Sequence, residues 1–369
     1  MRLGARSHGD RRNMANIRVI AVSAALISGC VLSCKKEYPP EPLPAKNGKR
    51  DYIWSIVSID YAGRATRLEL QSLWGNSASD VWGAAGDAPD VRDCLWHYDG
   101  VKWSRATEGT PITELTGNKV VYAVWGTARD NVWAFGRKIS QGVLGAFMMH
   151  YDGTRWADAT PNDIANTSST LYTVDGISSN DIWVGGYEYA LHYDGIQWTT
   201  HLVADSMIVG SITGSESHIY LCAYSPWGRN TLVIYRLIGT SFTVVDSTTD
   251  NTRKFGPWLL DRDGRMLSFT NGVISTQILQ DGGLNSSGWT REFTTATYFG
   301  IPYAQSDDCI FATGQRALLY HWNGVDWQQV SIEVPGHYVD PLAWFWGVWA
   351  DGNQVFVCDV ENGMVYHGK

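Results

Sequence analysis

The polar and apolar positions of this chain follow a pattern that recurs along its length. Each copy begins with a short apolar run, a turn of small polar residues and a second apolar run, which predict two antiparallel strands joined by a turn. The clearest copies are residues 74–82, 125–133 and 175–183. A third run follows and ends in His-Tyr-Asp-Gly, with a Trp three residues after the Gly. Because Asp-Gly favours a tight hairpin, this part predicts a third and a fourth strand.

The tetrad occurs at residues 97–100, 150–153 and 192–195, and an altered copy stands at 321–324. A repeat of about 40 to 50 residues with four short strands is typical of a β-propeller, in which each repeat forms one blade. Seven blades are counted by their hairpin glycines, Gly100, Gly153, Gly195, Gly239, Gly282, Gly324 and Gly368. The fourth and fifth copies are degenerate and keep mainly their aromatic and β-branched positions.

The seventh copy has only three strands, which would leave an open sheet edge. Residues 51–59 carry a fourth-strand Trp without a blade of their own, so pairing them with the last copy closes the ring. We therefore predict an all-β fold, a seven-bladed β-propeller of four-stranded antiparallel blades over residues 51–369. The predicted fourth-strand aromatics are Trp54, Trp103, Trp156, Trp198, Phe242, Trp289 and Trp327.

Residues 1–34 have a different character. A basic start, the apolar run 19–27 and a small-residue exit predict a secretory signal peptide, with Met14 as an alternative start. The exit resembles the lipobox of bacterial lipoproteins, which implies acylation of Cys30 or Cys34, with Cys34 slightly favoured; an ordinary signal peptide is the alternative. Residues 35–50 are Pro-rich and charged, as expected of an extended tether. We expect an outer-membrane lipoprotein of the bacterial envelope, attached to the membrane through its lipid anchor only.

The composition limits the classes of partner that this protein is expected to bind. A net charge of −8 argues against nucleic-acid binding, and no stretch after residue 35 is apolar enough for a membrane helix. With 44% hydrophobic residues, 18 Trp and 38 Gly, the 369-residue chain suits a large core of short strands. We expect a monomer without a cofactor.

The repeated polar residues serve the fold in this interpretation. Equivalent histidines of successive blades are spread around a ring, so we predict a hydrogen bond within each blade and no metal site for His97, His150, His192 and His321. Side-chain-to-backbone bonds in turns are predicted for Asp80, Asp130 and Asp181. Buried thiols, with a disulfide as the less favoured alternative, are predicted for Cys94, Cys222, Cys309 and Cys358, whose spacing does not suggest zinc.

No catalytic motif is found in the sequence. Function is expected instead in loops that depart from the repeat, on the face that carries the connections between second and third strands and between blades. Arginines and exposed aromatics are enriched at binding hot spots, and the candidate contacts on this face are Arg92, Arg137, Trp227, Arg229, Arg253 and Tyr338.

Blade three, with Gly185-Gly186, Tyr193-Asp194 and Trp198, resembles a kelch-type repeat. The Trp-Gly, Asp-Val-Trp and His-Tyr-Asp-Gly motifs are more similar to the repeats of secreted bacterial propellers, many of them lipoproteins. The resemblance implies the fold and leaves the ligand open. We expect a non-catalytic, envelope-anchored propeller that binds a protein or glycan partner through its loop face. The alternatives are a cell-surface carbohydrate-active hydrolase or lyase and a structural subunit of an outer-membrane assembly.

Overall fold

The structure is a computed structural model that describes residues 48–57, 59, 69–86, 94–107, 118–140, 142–164, 169–215, 218–226, 231–249, 258–262, 264–280, 283–285 and 287–369. Cys30, Cys34, the signal peptide and most of the tether lie outside these residues and remain predictions. All regular secondary structure in the described ranges is β. None of these residues forms a helix long and apolar enough to cross a membrane.

The strands form seven antiparallel sheets in chain order, one for each blade. Blade one contains β2 (Leu70–Ser77), β3 (Asp80–Ala85), β4 (Leu95–Tyr98) and β5 (Trp103–Arg105). Blade two contains β6 (Asn118–Ala128), β7 (Asn131–Ser140), β8 (Val143–Tyr151) and β9 (Trp156–Asp158). Blade three contains β10 (Leu171–Ser178), β11 (Asp181–Gly186), β12 (Tyr189–Tyr193) and β13 (Trp198–Leu202). Blade four contains β14 (Ile208–Ser215), β15 (His218–Tyr224), β16 (Thr231–Ile238) and β17 (Ser241–Thr249).

The remaining three blades include the one that the two ends of the domain share. Blade five contains β18 (Trp258–Arg262), β19 (Arg265–Ile278) and β20 (Thr290–Tyr298). Blade six contains β21 (Tyr303–Ser306), β22 (Cys309–Gly314), β23 (Leu318–Trp322) and β24 (Trp327–Gln329). Blade seven contains β25 (Phe345–Ala350), β26 (Val355–Asp359), β27 (Met364–Gly368) and β1 (Trp54–Val57).

Blade five has three strands by these bounds, but the long strand β19 supplies two of the four segments that make up its sheet. A straight strand as long as β19 would hold its ends roughly 45 Å apart, yet Leu279 N–H, just after β19, donates to Gly264 O, just before it, at 2.7 Å. The strand therefore folds back on itself, and Gly272 supplies the turn with its φ of 72°. The first half of β19 pairs with β18 and the second half with β20.

The N-terminal strand closes the ring, as the sequence predicts. β1 pairs antiparallel with β27, so that Trp54 lies opposite Gly368 and Val57 opposite Val365. Trp54 is 4% exposed and packs in one cluster with residues of blades six and seven. The edge that the three C-terminal strands would otherwise expose is thereby covered. Gly368, however, lies within this strand pair, opposite Trp54, rather than in a hairpin turn.

The Trp-Gly pairs of the sequence join neighbouring blades. The ring of Trp349 in blade seven lies over Gly75 in blade one, where an added Cβ would meet it at 2.7 Å. In the same way Trp74 covers Gly126, and Trp125 covers Gly176. Any side chain at these glycines would push the Trp away, so the motif is a packing device between first strands.

The positive φ of a tight hairpin is found, as predicted, at five of the glycines: Gly100, Gly153, Gly195, Gly239 and Gly324. Gly100, Gly153 and Gly195 have φ of 94°, 89° and 90°. The Asp before each Gly holds the turn with one carboxylate oxygen, which in blade one accepts the N–H groups of Val101 and Lys102 at 2.9 Å. These backbone hydrogen bonds also lower the pKa of Asp99. The turns between strands one and two and between strands three and four define the hairpin face, and the opposite end of each blade is the loop face.

Five blades repeat a cross-strand pair of a histidine and an aromatic ring. The histidine of the third strand lies directly opposite an aromatic residue of the second strand, with ring centroids 4.0 to 4.4 Å apart. The pairs are Trp82 with His97, Trp133 with His150, Trp183 with His192, Phe311 with His321 and Phe356 with His367.

Four of these histidines also bond a side chain two residues before the aromatic ring. The Nε2 atoms of His97, His150, His192 and His367 lie 2.7 to 2.9 Å from oxygens of Asp80, Asn131, Asp181 and Gln354. The predicted hydrogen bond within the blade is thus confirmed for His97, His150 and His192, and His367 makes an equivalent bond that was not predicted. Asp80 and Asp181 use it instead of the predicted backbone bond, and in blade two the position belongs to Asn131 rather than to Asp130.

The prediction is wrong for His321 in blade six, because Cys309 occupies the position of the polar partner, two residues before Phe311. Neither ring nitrogen of His321 has a hydrogen-bond partner, although the residue is fully buried. Burial first, and then the nearby Arg50 guanidinium, lower the pKa of His321 to about 4, while Asp308 acts in the opposite direction. In blade seven burial likewise lowers the pKa of His367 to about 4. Both rings are therefore neutral at pH 7.

The four cysteines in the described ranges are buried and not disulfide-bonded. Burial raises the pKa of Cys222, Cys309 and Cys358, in the case of Cys309 to about 12. These thiols are protonated at neutral pH and pack as small apolar side chains.

Candidate functional site

The structure describes two of the six predicted contact residues. Arg92, Trp227, Arg229 and Arg253 lie outside the described residues. Arg137 lies in β7, where its guanidinium carbon is 5.6 Å from the ring centroid of Tyr122. Tyr338 is 77% exposed in the connection from β24 to β25. Both residues belong to the loop face, as predicted.

A bulge at the loop-face end of the first strand is shared by six blades. In each of them the first strand has one residue more than the second strand between two paired positions. This extra residue stands outside the Cα register of the two strands. In blade one, for example, Leu70 pairs with Ala85 and Trp74 with Trp82. In blades one to four the extra residues are Gln71, Tyr122, Tyr172 and Gly210. The equivalent positions of blades six and seven, which lie within the corresponding register shifts, are Gly300 and Trp346.

These bulges are held by neighbouring blades. Ser72, directly after Gln71, accepts the N–H of Val124 in blade two at 3.2 Å. Ser211, directly after Gly210, accepts the N–H of Leu259 in blade five at 3.0 Å. The bulge residues therefore stand at fixed positions around the axis of the ring, where first strands adjoin one another.

On one side of the axis these positions bring tyrosines together. The rings of Tyr122 and Tyr172 lie 5.6 Å apart, and Arg137 lies over Tyr122. Tyr224, the last residue of β15, is next to Tyr172 in the adjoining blade. Burial first, and then the electrostatic effect of Tyr172, raise the pKa of Tyr224, so its hydroxyl keeps its proton at neutral pH.

On the other side the same end of the ring is lined by tryptophans. The ring of Trp346 lies 6.3 Å from that of Trp258, nearly perpendicular to it, and 4.8 Å from that of Trp344. Trp346 reaches blade five because blade six has Gly300 at its bulge. Thr313 donates its hydroxyl to Trp346 O at 2.7 Å and fixes this strand end.

We call the set of Tyr122, Tyr172, Tyr224, Trp258, Trp344 and Trp346 the aromatic mouth. All six residues are half-buried, so each leaves part of its surface within reach of a ligand, although the Nε1 atom of Trp344 is itself buried without a hydrogen-bond partner. Tyrosine and tryptophan combine a rigid apolar ring with a hydrogen-bonding group, and Arg137 adds a cation. The arrangement suits recognition by packing and hydrogen bonds.

The described residues offer little for catalysis or metal binding. They contain no group of three His, Cys, Asp or Glu side chains that could hold a metal ion. The nearest approach to a relay is Ser215, His218 and Asp261, in which His218 Nε2 lies 2.6 Å from Asp261 Oδ2. Ser215 Oγ lies 3.3 and 3.4 Å from the two ring nitrogens and is aligned on neither, as an activated nucleophile would be. The cluster joins blade four to blade five.

A cavity of about 410 Å³ lies on the opposite, hairpin face between blades one and seven. It is open to solvent, and its lining polar groups already bond one another, as His367 Nε2 does with Gln354 Oε1 at 2.8 Å. It offers no aromatic surface comparable with the mouth.

The sequence matches no protein-family model and no curated protein. Solved structures are similar in fold. The structure titled "YCF48 bound to D1 peptide" has a TM-score of 0.59 and 14% identity over 91% of this chain and 99% of that one. YCF48 from Cyanidioschyzon merolae has a TM-score of 0.55 and 13% identity over 86% and 98%. The extracellular domain of the putative hybrid two-component system BT4673 from B. thetaiotaomicron has a TM-score of 0.60 and 13% identity over 85% of this chain and 39% of that one. At such identities the likeness establishes the seven-bladed propeller fold alone.

Proposed function

We propose that this protein is a non-catalytic binding propeller of the bacterial envelope that takes a segment of a protein partner at the aromatic mouth. The observation that carries the proposal is the bulge position, which presents an aromatic side chain in blades two, three and seven. Bulges re-aim side chains and are common beside functional sites. Packing within a blade does not require an aromatic residue at this position, because two other blades have glycine there.

The chemistry of the mouth favours a protein partner over a glycan. Tyrosine, tryptophan and arginine are the residues that dominate protein-binding hot spots, and here they form a half-buried cluster. The described residues of the mouth contain no carboxylate, and their polar atoms are mainly hydrogen-bond donors. Backbone carbonyls of an extended peptide would satisfy such donors. A propeller of similar fold, YCF48, has been solved with a bound peptide, which adds support.

A direct test places a photo-crosslinking amino acid at Tyr172 in cells, with Thr154 on the hairpin face as the matched position. The expected result is a discrete protein adduct at Tyr172 and none at Thr154. Binding of the partner so identified should then weaken with Tyr172→Ala or Trp346→Ala by roughly 1 to 3 kcal/mol, as hot-spot truncations do. The melting temperature should stay close to that of the wild type, since both side chains are half-buried.

Two results would overturn the proposal. One is a partner that binds both variants with wild-type affinity. The other is a partner whose adducts form at Thr154 and not at Tyr172. Binding of a purified glycan that both variants lose would keep the site but replace the partner class. Arg92, Trp227, Arg229, Arg253 and Tyr338 belong to the same proposal as outer contacts.

The envelope location rests on the N-terminal sequence. We propose that Cys34, or else Cys30, carries the lipid, because a signal peptide ends there and a Pro-rich segment follows. Replacing both cysteines with Ser should abolish labelling by a fatty-acid analogue and release the protein in soluble form. Continued labelling of the double variant would refute the anchor.

A further inference from the structure

The hairpin face carries an exposed aliphatic side chain in six of the seven blades. Three of these residues follow the hairpin Gly directly, namely Val101, Ile196 and Val325, which are 81%, 87% and 78% exposed. Two end a third strand, Ile238 in blade four at 57% and Ile278 in blade five at 70%. In blade seven Ile53, just before β1, is 77% exposed. We call these six residues the aliphatic tips. In blade two the residue after the hairpin Gly is Thr154.

The turns do not require aliphatic residues at these positions. In blade three the turn is held by Asp194 Oδ1, which accepts the N–H groups of Ile196 and Gln197 at 2.8 Å. These are backbone bonds, and any side chain at residue 196 would permit them. Turn positions in water are normally polar. At the hairpin turns the apolar side chain is therefore not needed to form the turn.

Their arrangement indicates what covers them. A protein interface has a contiguous, well-packed apolar core, whereas these side chains stand one to a blade around a ring. Separate aliphatic side chains on one face suit a deformable apolar phase that each can enter on its own, which is a lipid surface. Among the described residues, the exposed large apolar side chains of the loop face, such as those of Tyr338 and Leu342, do not recur at one position of the repeat.

A second observation points to the same face. The described part of the domain begins at Gly48, which lies against Asn323 in the hairpin turn of blade six. Arg50 fixes this entry point, donating to Asp326 O at 2.6 Å and pairing with the Asp326 carboxylate at 2.9 Å. Only 13 residues lie between Cys34 and Gly48, and the 14 steps from one to the other span at most about 50 Å in any conformation. The segment that leads back to Cys34 therefore enters the described domain at the hairpin face.

We infer that the hairpin face is a membrane-contacting surface, whose aliphatic tips enter the lipid headgroup region while the aromatic mouth points away from the bilayer. The inference rests on the lipid anchor proposed above and adds an orientation and a second contact to it. The partner of the mouth is then met on the side remote from the membrane.

The test uses the full lipidated chain in phosphatidylethanolamine–phosphatidylglycerol vesicles. A polarity-sensitive fluorophore is attached to Ile196→Cys, Val325→Cys or, on the loop face, Tyr338→Cys. The cysteine of the Cys30 and Cys34 pair that is not acylated is replaced by Ser, and the other described cysteines are buried. We expect blue-shifted emission and quenching by spin-labelled lipid at residues 196 and 325, and neither effect at residue 338.

A matched variant separates membrane contact from the anchor. In Val101→Ser/Ile196→Ser, with the probe at Val325→Cys, the chain should still float with vesicles while the quenching at residue 325 decreases. The inference is overturned if the anchored chain shows quenching at residue 338 instead, or at none of the three positions. It is also overturned if the tip probes are shielded only with rising protein concentration and without lipid, which would assign the face to a second copy. A chain that never floats and incorporates no acyl label would refute the proposed anchor, and the orientation with it; the flotation assay distinguishes that failure from the others.

Discussion

The unpartnered histidine of blade six gives the sharpest prediction on stability. His321 is fully buried, stacked on Phe311 and without a hydrogen bond at either ring nitrogen, and its pKa is lowered to about 4. An unfolded histidine titrates near 6.5, so between pH 6.5 and pH 4 the unfolded chain binds the proton more readily than the folded one. Stability is therefore present above pH 6.5 and is lost as the pH falls towards 4.

The size of the effect follows from the two pKa values. A shift of about 2.5 units is worth roughly 3 kcal/mol in full, and between pH 7 and pH 4.5 it should amount to about 2 to 3 kcal/mol. His321→Phe keeps a planar ring against Phe311 and removes the titrating group. It also removes two buried polar atoms without partners, so at pH 7 we expect this variant to be at least as stable as the wild type.

Urea unfolding followed by tryptophan fluorescence at pH 7 and pH 4.5 measures both effects. The matched control is His97→Phe, which deprives Asp80 of a partner at 2.7 Å and should lower stability by about 1 to 3 kcal/mol at pH 7. The reasoning is refuted if His321→Phe and the wild type lose equal stability between the two pH values. It is also refuted if both Phe variants are destabilised alike at pH 7, since His321 would then have a partner. His367, whose pKa is also about 4, should leave a residual acid sensitivity in His321→Phe.

Three further predictions concern the ring. Removing residues 51–57 should lower the melting temperature of the whole domain, because blade seven would lose β1 and expose its edge; an unchanged melting curve would contradict the closure. Gly176→Ala, whose Cβ would collide with Trp125, should cost about 1 to 3 kcal/mol in urea unfolding, whereas Gly283→Ala, whose nearest atom is 3.2 Å away, should cost much less; equal losses would count against the Trp-Gly packing. A double-mutant cycle between Asp80 and His97 should give a coupling energy of about 1 to 2 kcal/mol, and one between Cys309 and His321 close to none.

The repeat made most of the fold predictable from sequence. The spacing of the apolar residues predicted the strands, and the tetrad predicted the turn between the third and fourth strands. Because the seventh copy has only three strands, the segment around Trp54 was predicted to close the ring. Each of these signals is local and recurs several times. Blade five shows the limit, because its second and third strands run together as β19 around Gly272, and no tetrad marks the turn.

The polar partners of the histidines were harder to predict, because the repeats have to be aligned on the stacked aromatic ring and not on residue type. Matching by residue identity placed Asp130 with Asp80 and Asp181. Counting back two residues from the stacked aromatic ring selects Asp80, Asn131, Asp181 and Gln354, and it leaves Cys309 in blade six. Cross-strand geometry, rather than residue type, sets the correct alignment, since the side chain must reach the ring that lies on Trp82 or its equivalent.

The same counting would have found the aromatic mouth. Three residues before each first-strand Trp, or its equivalent, stand Gln71, Tyr122, Tyr172, Gly210, Gly300 and Trp346. The hairpin glycine recurs in most blades and the stacked histidine in five of them, because the turn and the stacked pair serve the fold of the blade. The bulge column stands outside the cross-strand register of its own blade, so its residue type is free to differ from blade to blade. In blades two, three and seven this column holds large aromatic residues whose rings meet those of other blades, and this variation supports the recognition site proposed above.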